Sequence, residues 1–161
     1  MKTEYVDNLH ELKNIFQSNN IIKLYQKHIE FFKLIKLTLQ KELKEFSFCS
    51  SVVENGMDYS YFHFSNERLK KLGLKFVFVY DYQSLDYQIW LSGVNRSVQK
   101  RYTSLFLTKD VEFQLTSNPM LTDYILKCPI ELTYNADEQL VSSIIKHVIK
   151  FTSLIDKYVN T

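Results

Sequence analysis

The stretch Gly93-Val94-Asn95-Arg96-Ser97-Val98-Gln99-Lys100-Arg101 puts a glycine turn, a helix start and three cations within nine residues. Helix N-termini hold anions through free N–H groups and the helix dipole. Asn95, Arg96, Lys100 and Arg101 are therefore candidate contacts for an acidic ligand. The plain alternative is a strand-to-helix corner with a solvated basic face. A second candidate is aromatic and comprises Tyr59, Tyr61, Tyr80, Tyr82, Tyr87 and Trp90. Tyr and Trp are enriched at interaction hot spots, and they are also good sheet formers. Of these, Tyr59, Tyr61, Tyr87 and Trp90 are taken with the basic corner as binding residues.

Catalytic and metal chemistry has little to stand on. His10, His28, His63 and His147 have no partner histidine three or four residues away, and no HExxH occurs. There is no GxSxG and no glycine-rich phosphate loop. Cys49 and Cys128 lie in apolar settings, and only Lys127 flanks either with a positive charge, so neither reads as an activated thiolate. No catalytic residue, metal ligand or cofactor is assigned. A helix bearing Glu30, a meander bearing Asp58 and Asp81, then a helix and a strand loosely resemble the layout of restriction-endonuclease-like nucleases. Such enzymes hold Mg²⁺ with an acid followed by an acid-x-Lys pair. Here Asp81 is followed by Tyr82-Gln83, so the lysine is missing, and a related fold would carry a degenerate site.

The 161 residues suit one domain, 1–161, with a core of its own. Net charge is +2, which excludes a global field demanding nucleic acid. Locally, residues 66–101 carry seven Lys or Arg against three acids, and residues 110–138 carry six acids against Lys127. This is either two solvated faces or a dipole that orients a partner. The start, MKTEYVDNLHELK, has no apolar secretory region. No apolar run approaches the roughly 18 residues of a membrane span. Two cysteines without CxxC spacing suggest reduced thiols, hence a cytoplasmic protein with no membrane association.

Periodicity supplies the elements. Tyr5, Leu9, Leu12 and Phe16 predict a helix over 4–17, and Ser18-Asn19-Asn20 breaks it, with Asn20 capping a second helix over 21–44. The period then changes to two. Strands are expected over 46–53, 59–64, 74–82 and 85–92, with a turn at 54–58 and a short helical turn from Ser65-Asn66-Glu67 to Gly73. Gln83-Ser84 forms a tight connection without the glycine that primed turns favour. Asn95 caps a helix over 96–107, and residues 108–122 read as loop. A fifth strand over 124–133 contains Pro129, which marks it as an edge or bulged strand. Asn135, with Glu138 three residues on, opens the last helix as in a capping box. The fold class is α+β: a twisted, mainly antiparallel meander sheet of about five strands, two N-terminal helices, one middle helix and one long C-terminal helix.

Two segments, Gly56-Met57-Asp58-Tyr59-Ser60-Tyr61-Phe62-His63-Phe64 and Trp90-Leu91-Ser92-Gly93-Val94-Asn95 with Val98-Gln99, sit between the two N-terminal helices and the long C-terminal one. In that arrangement they resemble a family of small bacterial proteins classed as a domain of unknown function. The resemblance implies a bacterial, cytosolic, single-domain protein and carries no activity or catalytic residue with it. The expected function is a non-enzymatic binding or interaction protein. Its partner is an unidentified protein or a second copy of itself, and nucleic-acid binding is the alternative.

Overall fold

A computed structural model describes residues 2–131 and 136–159, with side chains described over 6–131 and 139–159. The chain divides into two compact units, residues 1–34 and 35–161.

In the first unit, α1 spans Lys2–Ser18 and α2 begins at Ile21. The helix α1 ends as its polar sequence demands. The Ser18 hydroxyl donates to the Asn14 carbonyl at 2.7 Å, and the Asn19 amide donates to Ile15 at 3.3 Å. Asn20 has φ +51°, a left-handed conformation that asparagine tolerates better than most residues. Its carbonyl then accepts from the Leu24 amide at 3.0 Å, the first bond of the new helix. Val6, Leu9, Leu12 and Ile15 are each 40–47% exposed.

The second unit takes the end of α2 (Ile21–Glu42) and all the strands. Those strands are β1 (Ser47–Phe48), β2 (Val53–Asn55), β3 (Tyr59–Ser65), β4 (Leu74–Asp81), β5 (Asp86–Gly93), β6 (Gln114–Leu115) and β7 (Leu126–Ile130). They form one sheet in the order β1-β3-β4-β5-β7-β6, with β2 also on β3, and every pair is antiparallel. The helices α3 (Glu67–Leu72), α4 (Arg96–Leu107) and α5 (Ala136–Tyr158) complete an α+β fold. Asn66 and Asn95 cap α3 and α4 by accepting from the amides of Leu69 and Val98, and Gly73 ends α3 at φ +71°.

The expected strand over 46–53 is two pieces. Phe48 pairs with Phe64, and the Cys49 amide donates to His63, whereas Val53 pairs with Tyr61. Three residues, 50–52, therefore stand against Phe62 alone, which makes a bulge. Lys36, a residue only 8% exposed, donates from its ammonium to the Ser50 carbonyl at 3.1 Å and so satisfies a group the bulge removes from the ladder.

The segment read as loop over 108–122 contains β6, a two-residue strand on β7. The Asn118 turn that follows is closed by its own hydrogen bonds from the Leu121 and Thr122 amides. So short a strand leaves no period to read. Its neighbour β7 starts at Leu126 rather than at 124 and reaches Ile130. The expected end at Thr133 and the Asn135–Glu138 capping box lie outside the described residues.

Strand alternation sorts the sheet into two faces. One carries Phe62, Phe64, Leu74, Phe76, Phe78, Ile89 and Leu91, all fully buried. On it, Phe76 meets Phe151 of α5 at 5.8 Å, and Phe113 stacks on Phe151 at 4.0 Å. The other face carries Tyr59, Tyr61, Lys75, Val77, Val79, Gln88 and Trp90, and it holds the candidate site.

Candidate functional site

Alternation along β3, β4 and β5 brings Tyr61, Val79 and Gln88 into one row, and Val77 beside Trp90 into the next. Val77, Val79 and Trp90 are buried together, and Tyr59, Tyr61 and Tyr124 pack around them. Tyr59 meets Trp90 edge-on at 5.4 Å, and Tyr124 lies 5.4 Å from the same indole. Edge-to-face contacts of this kind put the positive ring edge on the negative face of the next ring.

The aromatic floor opens into a cleft of about 470 Å³, lined by Asn55, Tyr59, Tyr61, Lys75, Val77, Trp90, Gly93, Val94, Asn95, Arg96, Gln99 and Asp123. Five of the eight residues singled out from the sequence meet there: Tyr59, Tyr61, Trp90, Asn95 and Arg96. Strand pairing and the turn at Gly93 produce this meeting, since that turn folds the start of α4 back beside the sheet. Gly93 is required by contact. A Cβ there would stand 2.7 Å from the Gln99 amide nitrogen. The Gly93 amide donates to Gln99 Oε1 at 2.8 Å, and Gln99 Nε2 donates to the Thr122 carbonyl at 3.1 Å.

Arg96 donates to that same Thr122 carbonyl and to Asp123 Oδ1, the latter at 2.8 Å. It therefore enters the cleft as one half of an ion pair. Burial pushes the Tyr59 phenol up, helped by the negative charges of Asp81, Asp58 and Asp123. Tyr59, protonated at neutral pH like any phenol, therefore remains a hydrogen-bond donor into more alkaline solution than usual.

Three of the eight residues lie elsewhere. Tyr87 is on the opposite face, 4% exposed and stacked on Phe78 at 5.4 Å. Its phenol is pushed up, chiefly by burial and then by Tyr80 and Tyr82. Arg101 donates to the Leu72 carbonyl at 3.1 Å and lies over the Tyr102 ring, tying α4 to the end of α3. Lys100 is exposed on α4 and does not line the cleft.

Sequence reasoning missed Lys75, Gln99 and Asp123. Lys75 had a signal, because it alternates onto the same face as Val77. Asp123 had none, since its position depends on a turn without periodicity.

Among the described residues no three of His, Cys, Asp and Glu are grouped so as to hold a metal ion. Asp81 is occupied locally, accepting from the Gln83 amide at 2.8 Å in the β4–β5 turn. No helix among the described residues is long and apolar enough to cross a membrane.

The family described as Domain of unknown function (DUF7000) matches residues 5–159. The chain belongs to that family. The match takes in the whole sheet and all five helices of this DUF7000 chain apart from the first residues of α1. No curated protein and no solved structure matches it.

Proposed function

We propose that this protein is a non-enzymatic binding protein whose cleft, between the Tyr61–Trp90 face of the sheet and the start of α4, receives an apolar or aromatic group of its ligand. The observation that carries the proposal is the convergence of Tyr59, Tyr61, Trp90, Asn95 and Arg96 on one cavity of about 470 Å³. That volume is within the range of small-molecule sites, which combine an apolar floor with a few placed polar groups. A nucleic-acid ligand has less support. It would need Arg96, Lys100 and Arg101 as a row facing phosphates, whereas Asp123 engages Arg96 and the Leu72 carbonyl engages Arg101. A second copy of the chain covering the tyrosines is the other reading we retain. The setting we propose is a bacterial cytosol. Cys49 and Cys128 are free thiols, as reducing compartments keep them, and the bacterial origin rests on the sequence resemblance alone.

Trp90 is the single tryptophan, so its emission reports directly on the cleft. A fragment library screened by that emission and by amide NMR should return hits that shift Tyr61, Trp90 and Arg96 together and weaken on Tyr61→Ala. Hits that cluster on another surface would overturn the proposal. Light scattering on the same samples separates a monomer from a dimer that buries the tyrosine face.

A further inference from the structure

Among the described residues three charged side chains line the cleft: Lys75, Arg96 and Asp123. Arg96 and Asp123 neutralise each other at 2.8 Å. Among the described residues Lys75 has no such acidic partner, while the ion pairs that do occur involve Arg68, Lys70, Arg96 and Lys150. The lining side chains therefore carry one positive charge in excess, set on a half-buried strand position beside an aromatic floor, while Asp58 and Asp81, whose charges reach Tyr59, stand at the opposite end of the β3–β4 pair from Lys75. The unbalanced charge is felt inside the fold, since Lys75 adds to burial in holding the His63 imidazole below its ordinary pKa.

We propose that the cleft binds a small planar organic anion: a single aromatic or heteroaromatic ring bearing one carboxylate or one phosphate. This rests on the reading of the cleft as a binding site and adds the ligand's chemistry. The ring lies against the half-buried Tyr59 and Tyr61 rings, which cover the buried Val77 and Trp90 beneath them. The acidic group reaches the ammonium of half-buried Lys75 and accepts a charge-assisted hydrogen bond from it. One excess cation matches one acidic group. A nucleic-acid strand would require several phosphates to be neutralised along a groove, and the cleft has a single unpaired cation for them.

The test uses a matched set of probes: 4-hydroxyphenylacetate, its neutral amide, the cationic amine tyramine, phenyl phosphate and inorganic phosphate. Each is titrated into the full chain at low salt, with amide NMR shifts and Trp90 emission as readouts. The acid is expected to bind roughly tenfold more tightly than the amide, and tyramine not to bind. Comparing phenyl phosphate with the carboxylate tells which acidic group is preferred, and inorganic phosphate alone should be weak for want of a ring. Lys75→Met should abolish the preference for acid over amide while leaving amide binding in place. Lys75→Glu should transfer the preference to tyramine. Equal affinity of acid and amide at shifted Tyr61 and Trp90 resonances would overturn the ligand class and leave the binding cleft standing. A preference that survives Lys75→Met would also overturn it. If no probe moves a cleft resonance, both the ligand class and the cleft as a binding site fall.

Discussion

The indole Nε1 of Trp90 donates to Oε1 of Gln88 at 2.8 Å, two residues back on the same face of β5. Gln88 is held in turn, its Nε2 donating to Asp86 at 2.8 Å and to the Ser84 hydroxyl at 3.3 Å. The β4–β5 turn thus orients the cleft's indole through one buried amide. Gln88→Met keeps the volume and removes the acceptor. It should cost about 1–3 kcal/mol by leaving a buried donor unpaired, read as a lower urea midpoint together with a changed Trp90 emission maximum. An unchanged midpoint would mean that water replaces the amide.

Gly93→Ala drives a methyl into the Gln99 amide nitrogen at 2.7 Å, a backbone atom that cannot rotate away. The corner between β5 and α4 must open. The expected loss is about 1–3 kcal/mol, as for other overpacked sites, and urea denaturation checks it.

Leu85 occupies the position where a glycine would be expected, with φ +56° and 70% of its surface exposed. Left-handed backbone costs a non-glycine residue roughly 1–2 kcal/mol, and the greater freedom of glycine in the unfolded chain returns about 0.4–1 of that. Leu85→Gly should therefore stabilise by about 0.5–1 kcal/mol, a rise of some 1–4 °C in Tm for a chain of this length. A fall in Tm would show that the leucine side chain contributes more than its exposure suggests.

His63 links stability to pH. Burial first, and Lys75 second, hold its pKa below the ordinary 6.5. The unfolded chain therefore takes up the proton first as pH falls. This contribution to stability is complete above about pH 6.5 and is lost as pH drops through that value toward the folded pKa. Denaturation midpoints at pH 7 and pH 5 should fall in that order. In the NMR titration of the His63 ring, Lys75→Met should raise its pKa part of the way. A ring titrating at its ordinary value in the folded protein would contradict the burial described here.

Local chemistry made most of the architecture legible. Asn66, Gly73 and Asn95 are residues whose side chain, or lack of one, answers a demand of the adjacent backbone. The bounds of α3 and the start of α4 follow from them. Apolar residues on both faces of β4 likewise mark it as an interior strand, and it lies between β3 and β5. Less was visible where pairing was set by another segment. The 50–52 bulge depends on β3, and β6 exists only because β7 offers it an edge.

The candidate site divides the same way. Sequence singled out aromatics and a basic corner but could not sort them by face across strands. Tyr87 and Trp90 are three residues apart on β5, so the pleat sends them to opposite sides. One is sealed against Phe78, and the other floors the cleft.

By its sequence alone the chain determined its helices, its main hairpin and the capped corner after Gly93, because each is decided within a few residues of backbone. Only the tertiary structure decided that Asp123 neutralises Arg96, that the Leu72 carbonyl engages Arg101 and that Lys75 joins the cleft. Those outcomes require segments 20 to 50 residues apart to meet, and no local period encodes such a meeting.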